Sequence, residues 1–387
     1  MTHTYDIVIF GGGIAGLFVA SRLRRMGYNL LLIEKDRLGS GQTLASQGMI
    51  HGGQKYTLQG RVTAQAAAIA AMPERWEACF AGRGEVDLSG VKSLSETQVM
   101  FPVQNSRLFS LISNLTVFAA ARTVNGKTRK LPRVSFPAPV QRGPVYELQE
   151  KVLETKSLVA ALAENLRGRL FKGEAPEISP EGDITIGRNS FRARVIIYAS
   201  GAGNETALQQ LKIHEQRTQL RPLRQIMVKS MPQALYGHGI VGKPKPRVTV
   251  TSHPDGAGNY IWYLGGNVAE EGAKLSEAEA LAFAKKEMQE IFPAIDWSQK
   301  EWASWYGERA EAFDCAGHLP ATPRLYAAGK TLFAWPTKMT FVPALADEVV
   351  NWLTQNQIAP TVETPPPALP AAEIGFYPWE TAIWQRL

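Results

Sequence analysis

The spacing of apolar residues divides the chain into distinct pieces. Tyr5 to Phe10 has the character of a buried strand, Ile14 to Met26 carries apolar residues at helical spacing and stops at Gly27, and Asn29 to Ile33 is a second apolar run. Strand, helix and strand in that order predict a βαβ unit, and with it a parallel sheet. A helical stretch follows within Glu150 to Arg167, then short strands, then an apolar strand from Arg194 to Ser200 that ends in Gly201-Ala202-Gly203. From Gln219 to Gly266 the pattern changes to alternation: LRPLRQIMVKS, RVTVTS, a turn at His253-Pro254-Asp255-Gly256, and NYIWYLGG. These runs predict an antiparallel sheet. Ser276 and Glu279 form a capping box at the start of an amphipathic helix that ends near Phe292-Pro293, and Arg324 to Ala328 is a short strand leading into Gly329. The chain is therefore expected to leave its first domain and return to it twice, giving an α/β fold with a second, mixed or antiparallel-sheet domain.

Length and composition agree with two domains, since 387 residues with 45% hydrophobic content exceed one average core. The longest uncharged apolar run, Ile7 to Ala20, is shorter than a bilayer span, is broken by glycines and has no basic segment before it. Neither a transmembrane helix nor a signal peptide is expected, and a cytoplasmic location is the default. Cys79 and Cys315 are isolated, which argues against a disulfide framework, a zinc site or an iron–sulfur cluster, so no metal is expected and redox chemistry would need an organic cofactor. The net charge of +7 suits an anionic partner without naming one. The densest basic stretch holds Arg122, Lys127, Arg129, Lys130 and Arg133 around Asn125-Gly126. It reads as a solvated hairpin tip rather than a nucleic-acid surface, because stacking aromatics are missing nearby. The last part, TVETPPPALPAAEIGFYPWETAIWQRL, is a proline-stiffened tail expected to pack on the chain's own surface, although a partner or peripheral membrane contact is compatible with its aromatics.

Gly11-Gly12-Gly13-Ile14-Ala15-Gly16 satisfies G-x-G-x-x-G directly after a strand and at the start of a helix. Gly11 permits the tight turn, Gly13 lets backbone approach a pyrophosphate, and Gly16 allows close helix–strand packing. The helix N-terminus adds amide donors and positive potential. Glu34, 18 residues past Gly16 at the end of the second strand, supplies the acceptor for a ribose diol. An adenine dinucleotide is expected, and these residues alone leave FAD and NAD both open.

Beyond Glu34 the chain continues through Lys35, Gln42 and Thr43 into SQGMIHGGQKY. Here it resembles the D-amino-acid oxidase-like superfamily of FAD-dependent oxidoreductases. MIHGGQKY is similar to the matching segment of flavin-dependent glycerol-3-phosphate dehydrogenases and, more loosely, of L-2-hydroxyglutarate oxidases. Ile197 to Gly203 resembles the family's second FAD-contacting strand and turn, Tyr306-Gly307-Glu308-Arg309 resembles its Gly-x-Arg-Pro segment with Ala310 in place of proline, and LYAAGKTLFAWPTKMTFVPALADEVV resembles its closing strand and helix. The resemblance implies FAD as cofactor and a Rossmann-like FAD-binding domain made of 1–60, 145–215 and 320–355. It leaves 61–144 and 216–319 to a substrate domain and 356–387 to the tail. The implied FAD contacts are Gly11, Gly13, Ile14, Ala15, Gly16, Glu34, Lys35, Gln42, Thr43, Gln47, Gly48, Ala199, Ser200, Gly201, Gly329, Lys330, Met339 and Thr340.

Three residues are candidates for chemistry. His51 is a candidate general base for a hydroxyl or amine proton; a covalent flavin link or a purely structural role stays open. Arg309 is a candidate clamp for a carboxylate or phosphate, set against an ion pair with Glu308 or Asp314. Lys338 or Lys330 is a candidate for positive charge near the flavin N1–C2 carbonyl, set against a solvated side chain in either case. Arg224 is a further possible anion contact, while Trp262, Tyr263 and Tyr306 read as core or pocket wall. The resulting expectation is hydride transfer to flavin N5 from a carbon bearing a hydroxyl or amine in a small anionic metabolite, a hydroxy acid or glycerol phosphate being favoured. The alternatives are an amino-acid or N-methylamine oxidase and a flavin-carrying nucleic-acid module. No electron acceptor is legible.

Overall fold

The structure is a computed structural model that describes residues 3–50, 71–103, 129–131, 145–179, 181–241, 245–313, 320 and 322–387. Two large sheets organise them. The first is eight-stranded among the described residues and runs Arg324–Ala328, Thr331–Trp335, Asn189–Tyr198, His3–Phe10, Leu30–Glu34, Leu170–Lys172, with Glu177–Ile178 and Asp183–Ile186 attached to one side. Its four central strands are parallel, with Phe10, Tyr198 and Phe333 level with one another. Their rings stack across the face, Phe10 on Tyr198 at 5.3 Å and Tyr198 on Phe333 at 5.1 Å. The other face is covered by the helices Ile14–Arg25, Met72–Phe80, Thr155–Asn165 and Val342–Gln355, which share one apolar core. Leu345, Val349 and Leu353 repeat at helical spacing and are fully buried there, each contributing about 1.5–3 kcal/mol by leaving water.

The second sheet is nine-stranded among the described residues and runs Gln385–Arg386, Glu301–Ala312, Thr218–Met231, Tyr260–Gly265, Val248–Pro254, Gly237–Ile240, Gln98–Pro102, Val145–Leu148, Arg129–Leu131. One face packs on the helix Glu277–Ile291 through Ile226, Val228, Leu264 and Trp302. The expected capping box is present: the Glu279 amide donates to Ser276 Oγ at 3.4 Å and the Ser276 amide to Glu279 Oε2 at 3.0 Å.

Several boundaries differ from the sequence reading. Val145–Leu148 pairs with Gln98–Pro102 and so belongs to the second sheet, not to the first domain. Met72, Trp76, Cys79, Val86 and Leu88 pack in the first domain's core, although 61–144 was expected in the second. The helix expected within Glu150 to Arg167 spans Thr155–Asn165, because Val152–Leu153 is drawn into a short strand against Ser93–Ser95. His253 and Pro254 lie inside a strand, so the turn begins at Asp255.

The tail wraps the molecule. Asp6, fully buried, accepts from the Thr361 amide at 2.8 Å, the Thr361 hydroxyl at 2.9 Å and Arg194 at 2.8 Å. Further along, the Gly375 amide donates to the Leu38 carbonyl at 2.9 Å, and Tyr377 donates to Glu154 at 2.9 Å while accepting from the Lys156 amide. Gln385 and Arg386 then add an edge strand to the second sheet.

Candidate active site

The glycine turn closes over the C-terminal end of the first strand. Gly11 has φ +113°, and a β-carbon there would lie 2.5 Å from the Ala199 carbonyl oxygen. On Gly16 a β-carbon would meet the Gly11 carbonyl oxygen at 1.9 Å. Glycine at both positions is therefore what lets helix, turn and neighbouring strand approach. The helix Ile14–Arg25 has no acid in its first turn and Arg22, Arg24 and Arg25 in its last. Its dipole is complemented at the far end and meets no acid of its own first turn at the glycine end, an arrangement that attracts a phosphate.

Three side chains border this end. Thr43 Oγ1 accepts from the Ile14 amide at 2.9 Å. Glu34 accepts from the Gly12 amide at 2.5 Å and the Asp36 amide at 2.9 Å. A carboxylate has roughly four lone-pair sites, so two remain for ribose hydroxyls. Ser200 donates to the Phe10 carbonyl at 2.9 Å, and its amide is held by Asn204 Oδ1 at 2.9 Å. Asn204 also reaches the Ala334 carbonyl at 3.2 Å, tying the Ala199–Gly201 turn to the Thr331–Trp335 strand. The sequence reading missed Asn204, since nothing local marks it. A β-carbon on Gly13 would have only Thr43 Oγ1 within 4 Å, at 3.4 Å, so the space before the helix is open. An open, glycine-floored, amide-lined cradle beside an acid fits the pyrophosphate and ribose of FAD.

The other expected contacts divide. Lys35 and Gln42 are exposed, with Gln42 Nε2 3.5 Å from the β-carbon position of Gly201. Ala15 is buried in the helix's first turn. Met339 and Thr340 form a 3₁₀ turn leading into Val342–Gln355, with no acid in either first turn, so a second helix N-terminus faces this end of the sheet. Thr337 is held just before it at φ +64°, a strained setting for a β-branched residue that costs about 1–3 kcal/mol and marks sites where geometry matters. Lys338 lies in the same turn with its ammonium 5.7 Å from the Phe341 ring centroid. Gly329 and Lys330 form the hairpin turn that precedes Thr331, and the parallel register aligns Thr331 with Ile196 and Val8. That puts Lys330 four residues and Gly329 five residues short of Gly11 along the strand direction, roughly 13 and 17 Å.

Gln47 Nε2 donates to the carbonyls of Tyr263 at 2.9 Å and Thr249 at 3.2 Å, pinning the cofactor loop, the expected FAD-contacting segment 42–48, to the second sheet. Tyr263 donates to the Ala45 carbonyl at 2.8 Å, and its complete burial pushes the phenol pKa well up, keeping it a donor. Gly48, at φ +68°, presses on Leu153, whose amide donates back to the Gly48 carbonyl at 2.8 Å. His51, which follows this segment, and Asp314 lie outside the described residues.

Register then places Arg309. Arg221 faces Arg309, Met227 faces Ala303, and Met227 also faces Tyr263, so by strand alternation Arg309, Arg221, Gln225 and Tyr263 share the sheet face that holds the cofactor loop. Arg221 is filled by Glu311 through two bonds of 2.9 and 3.0 Å. Arg309 is not filled in this way. Among the described residues, which leave out Asp314, the carboxylate within ion-pair distance is Glu270 at 3.6 Å rather than Glu308, and Arg309 Nε is buried with no hydrogen-bond partner. Burial and the neighbouring Arg221 lower its pKa, with Glu270 and Glu311 partly opposing; a guanidinium stays protonated all the same. Gln225 Oε1 is likewise buried and unpartnered among the described residues. Arg224, by contrast, points to the helix side, bonded to Ser304 and the Gly272 carbonyl at 3.2 Å each, which removes it as an anion contact. Among the described residues no cluster of metal-ligating side chains is present, and no helix is long and apolar enough to cross a membrane.

Comparison with known proteins agrees with this geometry. Residues 6–352 match the DAO family, described as FAD dependent oxidoreductase. The chain is 38% identical to a probable FAD-dependent oxidoreductase of Pseudomonas aeruginosa, covering 98% of each protein. The crystal structure of an FAD-dependent oxidoreductase from that organism superposes with TM-score 0.84 at 34% identity, covering 98% of both chains. An L-alpha-glycerophosphate oxidase of Mycoplasma pneumoniae with FAD bound shares the fold at TM-score 0.66 and 17% identity, covering 91% of this chain and 95% of that one. The chain belongs to the DAO family of FAD-dependent oxidoreductases.

Proposed function

We propose that this enzyme oxidises a small anionic metabolite at a carbon bearing a hydroxyl or amine, with a hydroxy acid or glycerol phosphate as the favoured substrate type. The observation that carries this reading is Arg309, a half-buried cation whose Nε is buried without a hydrogen-bond partner among the described residues, on the sheet face that meets the cofactor loop. A carboxylate or phosphate would fill that fork bidentately, orienting the adjacent carbon, whereas a substrate without an acceptor there would leave the buried Nε unpaired. Bound FAD supplies the two-electron acceptor for the hydride leaving that carbon. The chain's residues do the rest. Gly11 to Gly16 and Glu34 hold the dinucleotide, Gln47 and Tyr263 fix the loop against the sheet, and His51 takes the proton from the hydroxyl or amine. The reported resemblance to a glycerophosphate oxidase supports the fold, and the substrate type rests on Arg309.

Anaerobic mixing of the purified protein with 2-hydroxy acids, amino acids, N-methyl amino acids and glycerol phosphate tests the proposal. Bleaching of the visible flavin absorbance by a hydroxy acid or glycerol phosphate is expected. Bleaching by the amines alone would transfer the enzyme to the amine-oxidising class.

A further inference from the structure

We infer, on the reading that Arg309 seats the substrate's anionic group, that Glu270 sets how much negative charge the seat admits, favouring a singly charged group over a doubly charged one and so narrowing the proposed substrate type to a hydroxy acid's carboxylate over the glycerol phosphate dianion. Glu270 sits on the short helix Asn267–Gly272, which runs beside the Thr218–Met231 strand where its neighbour Tyr260–Gly265 has ended. That helix is fixed in place: the Asn267 amide donates to the Pro246 carbonyl at 3.0 Å, Val268 to Arg247 at 3.2 Å, and the Gly272 carbonyl accepts from Arg224 at 3.2 Å. One carboxylate oxygen of Glu270 takes Lys245 Nζ at 2.6 Å. The other stands 3.6 Å from Arg309 Nη2, too long for a hydrogen bond. Glu270 therefore exerts its charge on Arg309 without occupying the guanidinium's hydrogen-bonding fork.

Among the described residues this cluster holds Arg221, Arg309 and Lys245 against Glu311 and Glu270, and Glu311 is spent on Arg221. One positive charge is left over. A monoanion arriving at Arg309 brings the cluster to neutrality. A dianion brings it to one excess negative charge beside the Glu270 carboxylate, a like-charge contact that burial makes more costly. Burial tends to raise the pKa of Glu270, but Lys245, Arg309 and Arg221 together hold it below the ordinary carboxylate value, so the group is ionised at neutral pH.

The test uses the FAD-loaded full-length protein and calorimetric titration with acetate and with sulfate at constant ionic strength. The wild type should bind acetate more tightly than sulfate. Glu270→Gln should shift the acetate-to-sulfate preference about tenfold toward sulfate, the factor produced by 1.4 kcal/mol, while Glu270→Asp, which keeps the charge, should retain the wild-type preference. An unchanged ratio in Glu270→Gln, with Arg309→Met losing both anions, overturns the inference and leaves the Arg309 seat standing. Anion binding that survives in Arg309→Met, or that is missing from the wild type, overturns the seat itself.

Discussion

Gly16 and Gly13 sit three residues apart in one turn, and they differ sharply in the space around them. A β-carbon on Gly16 would be forced to 1.9 Å from a carbonyl oxygen, whereas on Gly13, at φ −76°, it would have only the Thr43 hydroxyl for company, at 3.4 Å. Gly16→Ala should therefore damage the fold, lowering the melting temperature by several degrees or preventing soluble expression. Gly13→Ala should fold normally, because the added methyl projects into the cradle. Its FAD dissociation constant should rise at least about tenfold, measured by flavin fluorescence, through obstruction of the diphosphate. Tight FAD retention in Gly13→Ala would place the diphosphate elsewhere.

The parts of this cradle that could be read in advance are local in sequence. The glycine spacing, the helix behind it and Glu34 lie within one βαβ unit, where backbone sterics and hydrogen bonding act over a few residues. What could not be read depends on partners far along the chain. Asp6 is neutralised by Arg194 and held by Thr361, 355 positions away. Asn204 is recognisable only once Ala334 is beside it. Gly329 and Lys330 looked like cofactor contacts by their order in the sequence, and only the strand register moved them down the sheet. Arg309 was legible as a residue, but its incomplete pairing depends on Glu270 and Arg221 arriving from other elements.

His253 links the tail to acid stability. It is almost wholly buried, 4.1 Å from the Trp379 ring centroid and 5.5 Å from that of Tyr377, and desolvation pushes its pKa from 6.5 down to about 3. Between those values the unfolded chain holds a proton that the folded protein excludes. The stabilising contribution is therefore complete above pH 6.5 and declines as pH falls toward 3, by up to about 1.4 kcal/mol per pH unit. His253→Phe, which retains the ring packing, should flatten the fall in denaturant midpoint between pH 6.5 and 4. Parallel pH profiles for the two proteins would show that the imidazole is not held neutral.

His51→Asn should slow flavin reduction by the best substrate about a hundredfold, the lower range of a lost general base, while the flavin spectrum in the resting protein stays unchanged. A reduction rate within twofold of the wild type would remove the base role and leave a neighbour to be found.

The central claim is that the anion of the substrate is held by Arg309 while FAD takes the electrons. Anaerobic stopped-flow reduction of the wild type and Arg309→Met by the substrate that bleaches the flavin tests it most directly. The account predicts a substrate dissociation constant raised at least about thirtyfold in the variant, equivalent to about 2 kcal/mol for a charge-assisted bidentate contact, with FAD content unaltered. Equal dissociation constants for the two proteins would contradict it.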